Sequence, residues 1–219
     1  MEVCGFSVDV VRRAQRRAYL RVVGGCVRVS CPVRMTDAEV ASFVTSHRDW
    51  IARRLAAERL RGFSRDGVAL WGREMSVKFV DARPWGAFVD GDAVVIRAPE
   101  GVSDKEAEAL FNGLLRRELS KVAASFMTRW QGNLGVSPEG FHLRDMRGRW
   151  GSCSMRSRRL CFNLQLAHWP VRCTEYVVVH ELCHLLVADH SSAFWDLVGS
   201  CLPDWKERRA RLNDEPAGE

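Results

Sequence analysis

Apolar and polar residues alternate with a period of two along Val8 to Val11, Ala18 to Val23 and Cys26 to Ser30, which predicts three strands. Gly24-Gly25 between the last two predicts a hairpin. The period then lengthens. Behind Thr36 and Glu39, a capping-box pair, Val40, Phe43, Val44, His47, Ile51 and Leu55 recur at helical spacing and predict one helix from about Asp37 to Leu60. After a turn at Gly62 to Gly67, Val68 to Val80 and Ala87 to Ala98 return to strand patterning around a connection that contains Pro84. Residues 1–100 are therefore expected to form a small amino-terminal α+β unit of two hairpins and a helix.

Ser103 and Glu106 make a second capping box, opening an amphipathic helix through Leu110, Leu114, Leu119, Val122 and Phe126 to about Trp130. Gly132 to Gly140 ends it. Phe141 to Arg144 and Arg159 to Leu166 have strand character and flank a Gly-, Ser- and Arg-rich segment, Arg147 to Ser157. Pro170 suits the first turn of a helix running from Val171 to about Val187, apolar nearly all round as a buried helix is. A last helix starts near Ser192 and turns Phe194, Trp195 and Leu197 inward. These elements make residues 101–213 a second region, with 214–219 expected to be a disordered tail. No internal repeat or low-complexity tract is apparent.

A chain of 219 residues holds one large domain or two small ones. At that size folding buries roughly 70 % of the unfolded surface. Hydrophobic residues at 47 % and charged residues at 27 % match ordinary globular composition. No apolar run reaches the roughly 18 residues that span a bilayer, so no membrane partner is expected. The stretch from Met1 to Arg17 lacks the apolar core of a secretion signal, which points to the cytoplasm. Cys4, Cys26, Cys31, Cys153, Cys161, Cys173, Cys183 and Cys201 form no CxxC pair and read as thiols of a reduced chain. The net charge of +6 is carried mainly by arginine, clustered at Arg12, Arg13, Arg16 and Arg17, at Arg156, Arg158 and Arg159, and at Lys206, Arg208, Arg209 and Arg211. Such clusters either attract polyanions or are solvated faces of an arginine-biased chain.

The chemistry concentrates in His180-Glu181-Leu182-Cys183-His184, followed by His190. Histidines four apart project from one side of a helix, with the intervening glutamate turned toward the same side. Catalytic zinc takes three protein ligands and leaves a fourth position for a water whose pKa falls to near 7. His180, His184 and His190 supply that count, so Zn is the expected cofactor. At about 100° per residue, His190 shares no face with the pair, so the helix has to stop near Ala188 and fold back. Asp189 and Ser191 suit such a break. Glu181 is then the general base, passing its proton on to the leaving group. Cys183 is turned away from the metal face. The spacing leaves the scissile bond open between a peptide and, given nearby arginines, a nucleotide or other phosphate ester. The basic charge adds a third reading, a nucleic-acid-associated protease or binding module.

Arg149-Trp150-Gly151-Ser152-Cys153-Ser154, Asn163, the run from Tyr176 to Leu185, His190-Ser191 and Phe194-Trp195 together resemble the YgjP-like metallopeptidase family. SprT-like and WLM proteases are its more distant relatives. The likeness extends to the basic amino-terminal hairpin, Pro32 and Asp49-Trp50-Ile51, and so covers nearly the whole chain. The resemblance implies an α+β, zincin-like domain with a central HExxH helix, zinc ligands His180, His184 and His190, Glu181 as base, and a peptide or protein substrate. It also implies that Arg159 to Leu166 is an edge strand pairing with extended substrate. Arg149 and Asn163 either aim donors at the developing oxyanion or serve as a surface ion pair and a turn-stabilising amide. Trp150 and Trp195 read as core rather than substrate contacts. Two departures stand out. Met155 to Arg159 is bulky and basic where the family carries a glycine or small residue, and Val187 replaces the glycine that marks metzincins, which disfavours that class. Nucleic acid is not expected as a partner, and the oligomeric state is not read from the sequence.

Overall fold

The computed structural model describes residues 1–23, 25–146 and 148–213, with residues 23, 56–61 and 213 described by their backbone alone. Gly24, Arg147 and the tail 214–219 lie outside the described residues. The chain divides into two compact units, Met1–Gly62 and Phe63–Glu219.

The first unit holds β1 (Glu2–Val3), β2 (Phe6–Arg13), β3 (Tyr19–Val23) and β4 (Cys26–Pro32), followed by α1 (Asp37–Ser46) and α2 (Arg48–Arg61). β3 and β4 form the expected antiparallel hairpin, whereas β2 runs parallel to β4, giving the order β1-β2-β4-β3. Alternation turns Val8, Val22, Val27, Val29 and Cys31 to one face, where they pack with Val40, Val44 and Ile51 of the helices. The single helix expected here is two helices. At His47 (φ −107°, ψ 13°) the ring Nδ1 lies 2.8 Å from the Phe43 carbonyl, and Ser46 Oγ donates to the same oxygen at 2.9 Å. Side chains thus occupy the acceptor that a continuing helix needs.

The second unit opens with β5 (Val68–Leu70), β6 (Arg73–Val80), β7 (Gly86–Asp90) and β8 (Ala93–Arg97), ordered β5-β6-β8-β7, and continues into α3 (Asp104–Leu134). This sheet repeats the first, with the same succession of antiparallel, parallel and antiparallel pairs. Its elements follow their counterparts at a constant interval of sixty-seven positions, matching Val27 with Val94, Pro32 with Pro99, Thr36 with Ser103, Glu39 with Glu106 and Val44 with Phe111. The chain therefore contains an internal ββββα repeat that hydrophobic patterning does not reveal, because few of the matched residues are identical.

The division expected at residue 100 falls instead at Gly62. Val68, Leu70, Met75, Val94 and Ile96 share one core with Phe111, Leu114 and Leu115 of α3, so the second sheet belongs to the larger unit. The β5–β6 turn is also tied to the segment ahead of the histidine motif. Trp71 N donates to Ala167 O at 2.7 Å and Gly72 N to His168 O at 3.1 Å. A Cβ on Gly72, whose φ is +78°, would come within 2.8 Å of the Pro170 ring.

β9 (Gly140–Arg144), β10 (Gly151–Ser154) and β11 (Arg159–Asn163) form a third sheet ordered β10-β11-β9. The edge strand expected at Arg159 to Leu166 is thus the central one, paired on both sides, and it stops at Asn163. There the Asn163 side chain accepts from Gln165 N at 3.1 Å and starts the 3-10 turn Leu164–His168. The edge strands are β10 and β9. The bulky connection between β10 and β11 closes with Arg158 at φ 51°, its Nε donating to Ser137 O at 2.9 Å.

The chain ends in α4 (Val171–Cys183), α5 (Ser192–Cys201) and α6 (Trp205–Asn213). Cys173 to Val179 of α4 are all buried, as the apolar pattern predicts. One carboxylate is buried with them. Glu175 accepts from Trp130 Nε1 of α3 at 3.0 Å and from Arg208 Nη1 of α6 at 2.6 Å, so three helices meet on it. Arg208→Ala is expected to lower unfolding free energy by about 3 kcal/mol, read from urea midpoints, because it leaves the buried Glu175 only Trp130 Nε1 and the more distant, exposed Arg129 at 3.5 Å. A change within about 0.5 kcal/mol, the range of ordinary surface substitutions, would show that the pair is not structural. Among the described residues no helix is long and apolar enough to cross a membrane.

Candidate metal centre

The last turn of α4 carries His180, and His184 follows as the cap (φ −64°, ψ −18°), so that the helix ends at Cys183 and not near Val187. Helical hydrogen bonding tightens there, with Leu185 N donating to Leu182 O and both Leu186 N and Val187 N donating to Cys183 O. Ser191 N then donates to Asp189 Oδ1 at 3.3 Å, a side-chain-closed turn that folds the chain back. One nitrogen from each of His180, His184 and His190 lies within 4.8 Å of the others, and the Nε2 atoms of His180 and His190 are 3.1 Å apart. Tetrahedral zinc with bonds of about 2.0–2.1 Å holds its ligand atoms about 3.3 Å apart, so this donor set suits it.

Each ring is held differently. His184 Nδ1 lies 3.2 Å from Val187 O, which favours the proton on that nitrogen and leaves Nε2 with a lone pair. His180 Nδ1 is buried without a hydrogen-bond partner among the described residues. Aromatic packing orients that ring instead, with Phe194 at 4.9 Å and Tyr176 at 5.8 Å between centroids. The exposed His190 stacks on Trp195 (5.5 Å, 23°), which stacks on Trp205 (4.4 Å, 14°).

Burial, reinforced by the neighbouring His184 and His190, pushes the His180 pKa down to about 3, and burial also lowers that of His184. Both imidazoles are therefore neutral near pH 7, the form that donates to metals. Burial pushes Glu181 the other way, up to about 8, against the pull of the Arg149 guanidinium. Glu181 faces β10. A Cβ on Gly151 would stand 2.5 Å from Glu181 Oε1, 2.8 Å from its Cγ and 2.9 Å from Val177 Cγ1, so only glycine allows the strand this close. Hydrophobic patterning assigns Gly151 no role, although a lone glycine in a strand is a signal of close backbone approach.

The Asn163 side chain acts as a turn-stabilising amide. Its Nδ2 donates to Met146 O and Arg149 O, each at 2.8 Å, and its Oδ1 accepts from Met146 N and Gln165 N. Both donor hydrogens are spent on clamping the segment that leads into β10, and none remains for substrate. Arg149 is exposed beside that clamp. Trp150 packs edge-on against Trp169 at 5.9 Å, and Trp195 is half-buried against the histidines. Cys183 is fully buried, its thiol pushed up to about 12 by burial and by Cys201, and it takes no part in the cluster.

The sequence profile of the YgjP-like metallopeptidase domain matches residues 16–215. The chain belongs to the YgjP-like metallopeptidase family. Membership implies a metal and places the substrates of this YgjP-like protein among peptides and proteins. No curated protein matches it in sequence. Among solved structures it is similar to the metallopeptidase zymogen of Pyrococcus abyssi abylysin, at 21 % identity and a TM-score of 0.39 over 41 % of this chain and 90 % of that one. It is also similar to the zymogen of Methanocaldococcus jannaschii jannalysin, at 15 % identity and a TM-score of 0.37 over 44 % of this chain and 94 % of that one.

Proposed function

We propose that this YgjP-like chain is a zinc peptidase of zincin type, in which His180, His184 and His190 hold the metal and Glu181 is the general base. The observation that carries the reading is the meeting of three imidazole nitrogens within 4.8 Å at the end of α4, one residue from a buried carboxylate. Zinc supplies Lewis-acid chemistry when bound, polarising a carbonyl and lowering the pKa of water. Glu181 takes the proton of the attacking water and returns it to the leaving amine. The outer edge of β10 has no strand partner among the described residues, and its free backbone groups accept an extended substrate as an added strand. Since Gly151 of β10 lies against Glu181, a peptide paired there runs past the base. Arg149, close enough to pull on the Glu181 carboxyl, is the donor toward the developing oxyanion. All eight cysteines are free, which supports a reducing, cytoplasmic setting.

Protein purified without chelator is expected to contain about one zinc per chain, and His184→Ala to lose it. Cleavage of a mixed peptide library is expected to stop with phenanthroline and return with added zinc. A wild-type chain without zinc, or one that hydrolyses nucleoside triphosphates and leaves peptides intact, would overturn the proposal.

A further inference from the structure

The sheet of the first unit turns one face to its helices and the other outward. On the outward face the pairing registers place Asp9, Arg28 and Arg21 in one row and Val11, Ser30 and Tyr19 in the next. Ser30 is the small member of its row. A trough of about 330 Å³ opens above it, walled by Val11 and Tyr19 and rimmed by Arg13, Arg21 and Arg28. Tyr19 keeps 52 % of its surface exposed. The Gln15 side-chain amide donates to Ser30 O at 2.8 Å and to Arg17 O at 2.7 Å, which holds the β2–β3 connection beside the trough.

Two features separate this trough from an ordinary charged surface. Arg21 and Arg28 stand directly opposite each other on antiparallel strands, an unfavourable like-charge pairing. Asp9 offsets Arg28 at 2.8 Å, but Arg13 and Arg21 have no carboxylate partner among the described residues. The second feature comes from the internal repeat. The position of Ser30 is taken in the second sheet by Arg97 and that of Arg21 by Phe88, and the Arg97 guanidinium covers the Phe88 ring at 4.7 Å. The same topology is filled there, so the trough is a property of these side chains and not of the fold.

We propose that the trough binds single-stranded nucleic acid, with one unstacked base against Tyr19 and the adjoining phosphates on Arg13, Arg21 and Arg28. Every base offers a flat face to an aromatic ring, and arginines track the backbone beside it. A duplex hides those faces, and an acidic peptide or an anionic lipid surface has no base to stack there. Arg16 and Arg17, both exposed on the β2–β3 connection, carry positive charge beyond the trough and so favour a polymer over a mononucleotide. The inference is independent of the peptidase reading.

The test is fluorescence anisotropy with the full chain and a labelled oligouridylate of about 15 nucleotides, a length on the scale of known single-strand sites. Salt is varied from about 50 to 200 mM. Three phosphate contacts at about 0.7 each predict a slope of log affinity against log salt near −2. Tyr19→Ala is expected to weaken binding about tenfold at unchanged slope, Tyr19→Phe to retain it, and Arg21→Gln to reduce the slope by about 0.7. The Phe variant separates stacking from any effect on folding. Absence of binding at low salt, equal affinity for a duplex of the same length, or indifference to Tyr19→Ala would each overturn the proposal. So would preferential capture by phosphatidylglycerol vesicles.

Discussion

Glu181→Gln is expected to lower kcat/KM for peptide cleavage by about 10²- to 10⁴-fold while the protein keeps its full complement of zinc. The amide has the shape of the carboxylate and removes only the proton acceptor, so KM should change little. Metal analysis beside steady-state kinetics decides the matter. Loss of zinc together with activity would make Glu181 structural, and retained turnover would remove it from the reaction. A second signature follows from its burial. The folded state holds the Glu181 proton up to about pH 8, whereas the unfolded chain releases it near 4.5. Unfolding therefore releases a proton between these values, and the stability this group contributes is full below 4.5 and is lost as pH rises toward 8. Metal-free wild type should accordingly fall behind metal-free Glu181→Gln across that window. The gap should reach roughly 2–4 kcal/mol at its alkaline end, read from urea midpoints at several pH values. A gap that does not vary with pH would mean that the carboxyl is not buried as described.

Gly151→Ala tests the contact between strand and base. The added methyl would overlap Glu181 Oε1 and Cγ as well as Val177 Cγ1, so either the carboxylate or β10 has to move. A displacement of about 1 Å at a reacting group costs on the order of 10²-fold in rate, and overpacking costs about 1–3 kcal/mol in stability. Zinc content should be unchanged, since the three atoms nearest the added methyl belong to Glu181 and Val177 and not to a histidine. The acidic limb of the pH–rate profile should move to lower pH as Glu181 leaves its dry surroundings, a change that simple destabilisation of the fold would not produce. Unaltered kinetics in the Ala variant would show that β10 does not hold the base in place.

Local pattern was a sound guide wherever one residue's neighbours along the chain decide its structure. Both capping boxes, Thr36 with Glu39 and Ser103 with Glu106, are formed as read, because N-cap and N3 groups meet within one turn of chain. The β3–β4 hairpin is present for the same reason. The longer-range pairings were not legible. Period-two alternation shows which side of a strand is buried but not which strand lies beside it, so the parallel pairing of β2 with β4, the central place of β11 and the internal repeat all escaped the pattern. The break at His47 escaped too, since apolar spacing continues across it while side chains capture the Phe43 carbonyl.

The sequence by itself determined that His180 and His184 share a side of one helix and that the chain has to reverse before His190, consequences of a fixed rise and rotation per residue. It also determined that α4 is buried, through its continuous apolar surface. Tertiary structure decided the rest of the site. It ended α4 at Cys183, stacked His190 on Trp195, assigned both Asn163 donors to the backbone and brought Gly151 against Glu181. Each of those contacts joins elements distant in the chain, where packing and register, rather than local periodicity, select the neighbour.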